Sequence, residues 1–525
     1  MKKIKFSIAS LLCLFHLVIF AQEKDYSVDY AKTIQKEDLK KHLQIIASDE
    51  YEGRETGEKG QKMAAEYISK HFKNLGLEGP VKQSTNSYYQ SFNLKKSHWQ
   101  EVKIATPKKE LVYLEDFFLY GNFSFDNMKL ETVFAGYGID EPSYTDYKNI
   151  DVKGKAVIVI LDEPKGTDGN YVLSESNQSS KASSANYKIQ KAGEKGAAAV
   201  FLVYPENEKF QNSLSLYKPY LQKPSLSAQK KRSGKLGTFY INPKNAATLL
   251  GISEKKWFKL LKKQALKDQN LFDRYSTSIT LTAKRSSEEI TTENVLGYLE
   301  GTDLKDELLV VTAHYDHIGK SGDEINNGAD DDGSGTVTVL EIAEAFSKAY
   351  KDGIAPRRSI LFMTVTGEEK GLLGSAYYAD NPVFPIDNTI ANLNIDMVGR
   401  VDKKHEDNPN YIYIIGSDML SSELHNLHES TAKRYASNIA LDYQYNAKDD
   451  PNRFYYRSDH YNFAKHGIPV IFYFNGTHED YHKPTDTVEK IHFEKMENIA
   501  KLIFHTAWEL ANREKRPIVD VSAPE

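Results

Sequence analysis

The chain has 525 residues, 40% of them hydrophobic and 27% charged, with a formal net charge of −5. That is the balance of a globular protein too long for one compact core. No long basic run or basic patch with interleaved aromatics occurs, which argues against nucleic acid as a partner, and a single cysteine, Cys13, rules out a disulfide framework.

Lys2, Lys3 and Lys5 precede an apolar run at 6–20 and then Ala21-Gln22. This is the basic, apolar, small-residue order of a secretory signal peptide. Cleavage would remove Cys13 and three lysines, taking the charge from −5 to −8 and excluding thiol catalysis. The expected location is therefore periplasmic or secreted, in a bacterial envelope setting. No other apolar run approaches the roughly 20 residues of a membrane span, so no stable span is expected once the signal is gone.

Next comes an amphipathic helix at 38–46, a loop at 48–57 and a helix at 61–75 that Gly76 ends. From about Tyr120 the character changes. Short β-like runs at 133–138, 156–161 and 198–203 surround a helix at 185–195, without clustered His, Asp or Glu. From Asn294 onward the patterning alternates. Strands are predicted at 295–299, 308–313, 359–365, 390–396, 411–415 and 468–474, and helices at 334–350, 370–380, 420–436 and 493–512. Such alternation argues an α/β sheet with helices on both faces.

The polar residues gather where predicted strands end. His314-Tyr315-Asp316-His317 and Gly328-Ala329-Asp330-Asp331-Asp332-Gly333-Ser334-Gly335 lie between the strand at 308–313 and the following helix, the place where α/β sheets bind ligands. Three adjacent aspartates repel one another unless a cation neutralises them. Glu368-Glu369, Asp396 and His482 follow later strands. The set His314, Asp331, Glu368, Glu369, Asp396 and His482 suits a two-metal hydrolytic site with one carboxylate to spare as a base. His478-Glu479-Asp480-Tyr481-His482 also spells H-E-x-x-H, which binds zinc only on a helix. Asn475-Gly476 before it and Pro484 after it oppose one. Ser458-Asp459-His460 are contiguous and cannot form a nucleophilic triad. His317, His405 and His425 are expected at the surface. Asp330 and Asp332 are expected to shape their loop, Asp459 is a candidate for supporting a ligand or contacting substrate, and Asp486 for bracing the loop after the last ligand.

In order, H-x-D, G-A-D-D-D-x-S-G, G-E-E-x-G-L-x-G-S, N-x-D-M and D-Y-H-x-x-x-D-T resemble the M28 family of dizinc peptidases, mostly aminopeptidases, through most of 37–77 and 290–512. The block at 120–285 is similar to a protease-associated (PA) domain. The resemblance implies a mixed, mostly parallel central sheet with a β-rich PA-like insertion. The implied bounds are 1–21 signal, 22–119 and 286–525 catalytic domain, and 120–285 insert. It also implies two zinc ions, one on His314 and Asp396, the other on Glu369 and His482, with Asp331 bridging. Glu368 becomes the general base, Asp316 accepts the second ring N–H of His314, and Tyr481 donates to the developing oxyanion. The implied reaction removes N-terminal residues from peptide substrates. The alternatives are a carboxypeptidase or dipeptidase, a single-zinc acyl transferase of the glutaminyl-cyclase kind, and a receptor-like binding protein. Oligomeric state, preferred N-terminal residue and the insert's role are open at this level.

Overall fold

The computed structural model describes residues 24–228, 236–264, 272 and 274–522; the expected signal segment, 1–21, lies outside them. Two compact units are present, one formed by residues up to Gln90 together with those from Glu293, the other by Ser91–Thr292.

The first unit is built on seven strands: β1 (Ser278–Leu299, entering the unit at Glu293), β2 (Leu304–His314), β3 (Arg358–Val365), β4 (Thr389–Ile395), β5 (Tyr411–Ile415), β6 (Ala440–Asp442) and β7 (Val470–Phe474). Their spatial order is β6-β5-β7-β4-β2-β3-β1. The central β7, β4, β2 and β3 run parallel, while β1 joins β3 and β5 joins β7 antiparallel. The sheet is thus mixed and mostly parallel. Helices α1 (Tyr26–Ala31), α2 (Lys36–Ile46), α3 (Lys59–Leu75), α4 (Gly335–Lys351), α5 (Leu373–Asp380), α6 (Ser422–Tyr435) and α7 (Phe493–Asn512), with a short helix at His460–Ala464, belong to the unit.

Strand side chains alternate between two cores, as the period of two requires. From β2, Leu309, Val311 and Ala313 join a core with Leu43 of α2, Phe72 of α3, Phe346 of α4 and Phe504 of α7. Leu308 and Val310 join the opposite core with Tyr378 of α5 and Phe463. Both faces are covered, which explains why the strands read as unbroken apolar runs rather than alternating ones. Helix α3 ends at Gly76, whose φ of 84° is a left-handed cap that costs glycine little. Among the described residues no helix is long and apolar enough to cross a membrane.

In the second unit, strands Phe125–Phe134, Ala156–Ile160, Ala199–Val203 and Gly237–Ile241 run parallel. Phe117–Leu119 pairs antiparallel at one edge, and residues 278–283 do so at the other. Ser184 caps the helix Ala185–Glu194 by accepting from the Tyr187 N–H. This unit has its own core around Phe134, Phe201, Phe239 and Trp257.

The expected boundaries at 120 and 285 differ from the unit limits at 91 and 292. The strand Tyr89–Ala105 pairs within the second unit, Leu94–Ser97 against Ser225–Ala228 and Ile104-Ala105 against Glu110-Leu111. A polar strand of this kind carries no compositional signal of where a unit begins.

Candidate metal centre

Four strand ends supply the site. His314 is the last residue of β2, Glu368 and Glu369 follow β3, Asp396 follows β4, and the loop after β7 carries Tyr481 and His482. Since β2, β3, β4 and β7 are parallel neighbours, their C-terminal ends share one edge of the sheet.

Asp331 lies at the middle of the cluster, and its two oxygens face different neighbours. Oδ1 is 3.3 Å from His314 Nε2, which is also 3.7 Å from Asp396 Oδ1 and 3.9 Å from Glu368 Oε2. Oδ2 is 3.0 Å from His482 Nε2, itself 3.1 Å from Glu369 Oε2. All six expected metal-site residues are therefore brought together.

The triple aspartate is resolved by division of labour. Asp332 accepts from the N–H groups of His314, Gly335 and Met397. Asp330 accepts from Gly399 N–H, the Ser334 hydroxyl and the Asn475 amide, with His478 Nε2 at 3.2 Å. Asp486 accepts from the N–H groups of Asp330 and Asp331. Only Asp331 is left to face the other candidates. Residues 478–482 form turns, not a helix, so the H-E-x-x-H spelling has no zinc-binding geometry.

Behind these groups lie supports drawn from distant parts of the chain. Ser458 donates to Asp396 Oδ2 at 2.6 Å, and Asp459 accepts from Ser375. Asp316 sits behind His314, but the second ring N–H of His314 goes to the Asp316 backbone carbonyl at 3.0 Å. This corrects the expected carboxylate contact. Thr56 and the Glu368 N–H occupy the Asp316 carboxylate at 2.6 and 3.2 Å, leaving it 3.9 Å from the ring.

His317 is the principal correction. Expected at the surface, it is fully buried, with Nδ1 2.8 Å from Glu369 Oε1 and 3.8 Å from Asp331 Oδ2. Neither ring nitrogen, nor Glu369 Oε1, nor Asp331 Oδ2 makes a hydrogen bond. The signal for it was its position one residue beyond H-x-D. His405 is mostly buried too, stacked on Tyr411 and paired with Asp402 at 2.7 Å, and His425 is half-buried against Ser417.

The electrostatics favour added positive charge. Burial pulls the His482 imidazole down, yet Glu369 and Asp331 outweigh it and lift the group to about 11. Burial likewise opposes His314, and Glu368, Asp331 and Asp396 raise it well above its usual range. Asp331 Oδ2, Glu369 Oε1 and both His317 ring nitrogens converge here without a hydrogen-bond partner. That fits a cation better than any internal pairing. His314 with Asp331 and Asp396, and His317 with Asp331 and Glu369, each present donors close enough for one ion.

Beside the cluster a small cavity of about 30 Å³ is lined by Glu368, Asp396 and Tyr481. Met397, Phe454, Phe472 and Phe474 supply apolar surface to the same lining, with Arg457, Ser458 and Thr477 beside them. Tyr481 stacks on His482 with centroids 3.9 Å apart. Burial and the nearby Asp331 and Glu369 push its phenol well above its ordinary range, so it stays a donor. His482 and Met397 hold φ values of 57° and 61°, left-handed backbone that costs of order 1–3 kcal/mol at each.

Residues 294–507 match the model of peptidase family M28. Through this segment the chain is similar to that family. Aminopeptidase YwaD of Bacillus subtilis is 28% identical over 235 residues, 43% of this chain and 46% of that protein. The chain spans about half the length of the curated relatives it matches. Among solved structures, an aminopeptidase from Aneurinibacillus sp. strain AM-1 superposes with a TM-score of 0.59 at 19% identity, covering 95% of this chain and 99% of that one. BSAP, a zinc aminopeptidase from Bacillus subtilis, gives 0.52 at 18%, covering 93% and 99%. At these identities the likeness is one of fold.

Proposed function

We propose that this protein is an exported aminopeptidase that uses two zinc ions and has peptides as its substrates. The observation that carries the reading is the placement of Asp331, whose two oxygens face separate donor sets. His314 and Asp396 would hold one zinc and Glu369 and His482 the other, with Asp331 between them. Export rests on the signal-like segment at 1–21, and a PA-like character for the second unit rests on resemblance alone.

When bound, the zinc pair supplies Lewis acidity that polarises the scissile carbonyl and makes water a stronger acid. Glu368, at the cavity wall and only 12% exposed, takes a proton from the attacking water and passes it to the leaving amine. The Glu368 N–H donates to Asp316, so the loop after β3 is tied to the loop carrying His314. Tyr481 presents its hydroxyl to the oxyanion that develops at the carbonyl. The free ammonium of a substrate is attracted by the carboxylates around the cavity.

The apolar lining sets an expected preference. A side chain packed on Met397, Phe454, Phe472 and Phe474 gains from apolar burial, while Arg457 in the same lining disfavours a basic side chain. Leucyl and phenylalanyl nitroanilides should be cleaved with kcat/KM roughly a hundredfold or more above lysyl and arginyl ones. Equal rates across the panel would contradict the assignment of this lining. N-acetylated substrates should not be cleaved; their cleavage would point to an endopeptidase or carboxypeptidase instead.

His317 extends the ligand set suggested by the motifs. His317→Ala should weaken the zinc held by Glu369 and His482 by about 10–100-fold, whether the imidazole ligates or orients Glu369. Calorimetric zinc titration checks this, with the other zinc expected unchanged. Two unaltered affinities would show that His317 only fills space.

A further inference from the structure

Away from the acidic cluster, three helices of the first unit close on a second group of metal-ligating side chains. His42 of α2, His71 of α3 and Glu344 of α4 each offer one donor atom, all within 4.8 Å of one another. Glu341, one turn before Glu344 and only 2% exposed, places Oε1 3.5 Å from His42 Nε2. The two imidazole rings meet edge to face at 4.7 Å between centroids.

Two atoms here are left without partners. Glu341 Oε1 and His71 Nε2 are buried and make no hydrogen bond, a costly arrangement for polar atoms of a native interior. The His42 ring is held by a 2.6 Å hydrogen bond between Nδ1 and the Tyr67 hydroxyl. In the tautomer that donates from Nδ1, Nε2 directs its lone pair at Glu341 and the cluster. That is how ligating imidazoles are oriented, with one nitrogen anchored and the other bare. The remaining donor, Glu344, is exposed at the rim and gives an ion a way in.

We propose that His42, His71 and Glu344 form a zinc site separate from the cluster around Asp331, with Glu341 beside His42. Two imidazoles with a carboxylate and no thiolate suit zinc among the common divalent cations, and the buried Glu341 Oε1, 3.5 Å from His42 Nε2, adds a further oxygen beside it. Its effect follows from where the donors lie. Helix α4 begins directly after the loop that carries Asp331, so the ion staples α2 and α3 to that helix. The site does not depend on the peptidase reading.

The test compares zinc content and zinc-induced thermal shift of the full chain with those of His42→Gln/His71→Gln. The double variant should bind one zinc fewer per chain, keep its hydrolytic rate within about twofold and lose part of the zinc-induced rise in Tm. Equal zinc stoichiometry and affinity in both proteins would overturn the proposal. Should the double variant fail to fold, wild-type crystals soaked in zinc decide the matter by anomalous scattering. A peak between His42 and His71 is expected; none there would overturn the site.

Discussion

Glu368→Gln is expected to lower kcat by about 10³–10⁴-fold while leaving zinc content unchanged. Glutamine keeps the size and hydrogen-bonding reach of the side chain but cannot take up a proton. Glu368 Oε2 lies 3.9 Å from His314 Nε2, whereas Asp331 and Glu369 make the closer approaches to the histidines. Loss of Glu368 should therefore spare the metal ligands. The loss corresponds to about 4–5.5 kcal/mol of transition-state stabilisation. It should fall on kcat with KM little changed, as for an interaction realised only in the transition state. Steady-state kinetics beside metal analysis checks it. A variant that lost zinc in step with activity would make Glu368 a ligand and refute its role as base.

Arg54→Met should cost about 3–5 kcal/mol of stability, the second large effect. Arg54 is fully buried and donates to four backbone carbonyls, those of Tyr315, Ile46, Asn327 and Gly328, at 2.7–2.8 Å. Each carbonyl left unpaired pays a desolvation penalty. The guanidinium also faces Asp316, Asp331, Asp332 and Asp486, so its removal leaves buried acids less compensated. For a unit of this size the change is a fall of roughly 5–8 °C in Tm, read by thermal denaturation. Arg54→Lys keeps the charge but not the planar fork and should lie between. A methionine variant as stable as wild type would show the four contacts to be dispensable.

Arg54 also marks where sequence reading stops. Its acceptors are 8 to 274 residues away, and nothing at position 54 announces them. The same holds for Thr56 on Asp316 and Ser458 on Asp396. By contrast the central strands and α4 were legible, because a parallel sheet covered on both faces needs unbroken apolar runs and short polar turns. The cluster was legible because each member stands just past such a run. His317 was misjudged since a histidine in a polar loop looks the same whether it turns outward or, as here, onto Glu369. Asp316 lies beside His314, where its own backbone carbonyl takes the bond expected of its carboxylate.

Anomalous diffraction at the zinc edge from wild-type crystals is the most direct measurement. Two peaks should flank the Asp331 carboxylate, one beside His314 and Asp396 and the other beside Glu369 and His482. A single peak, or none, at Asp331 in protein that still releases N-terminal residues would contradict the two-metal account.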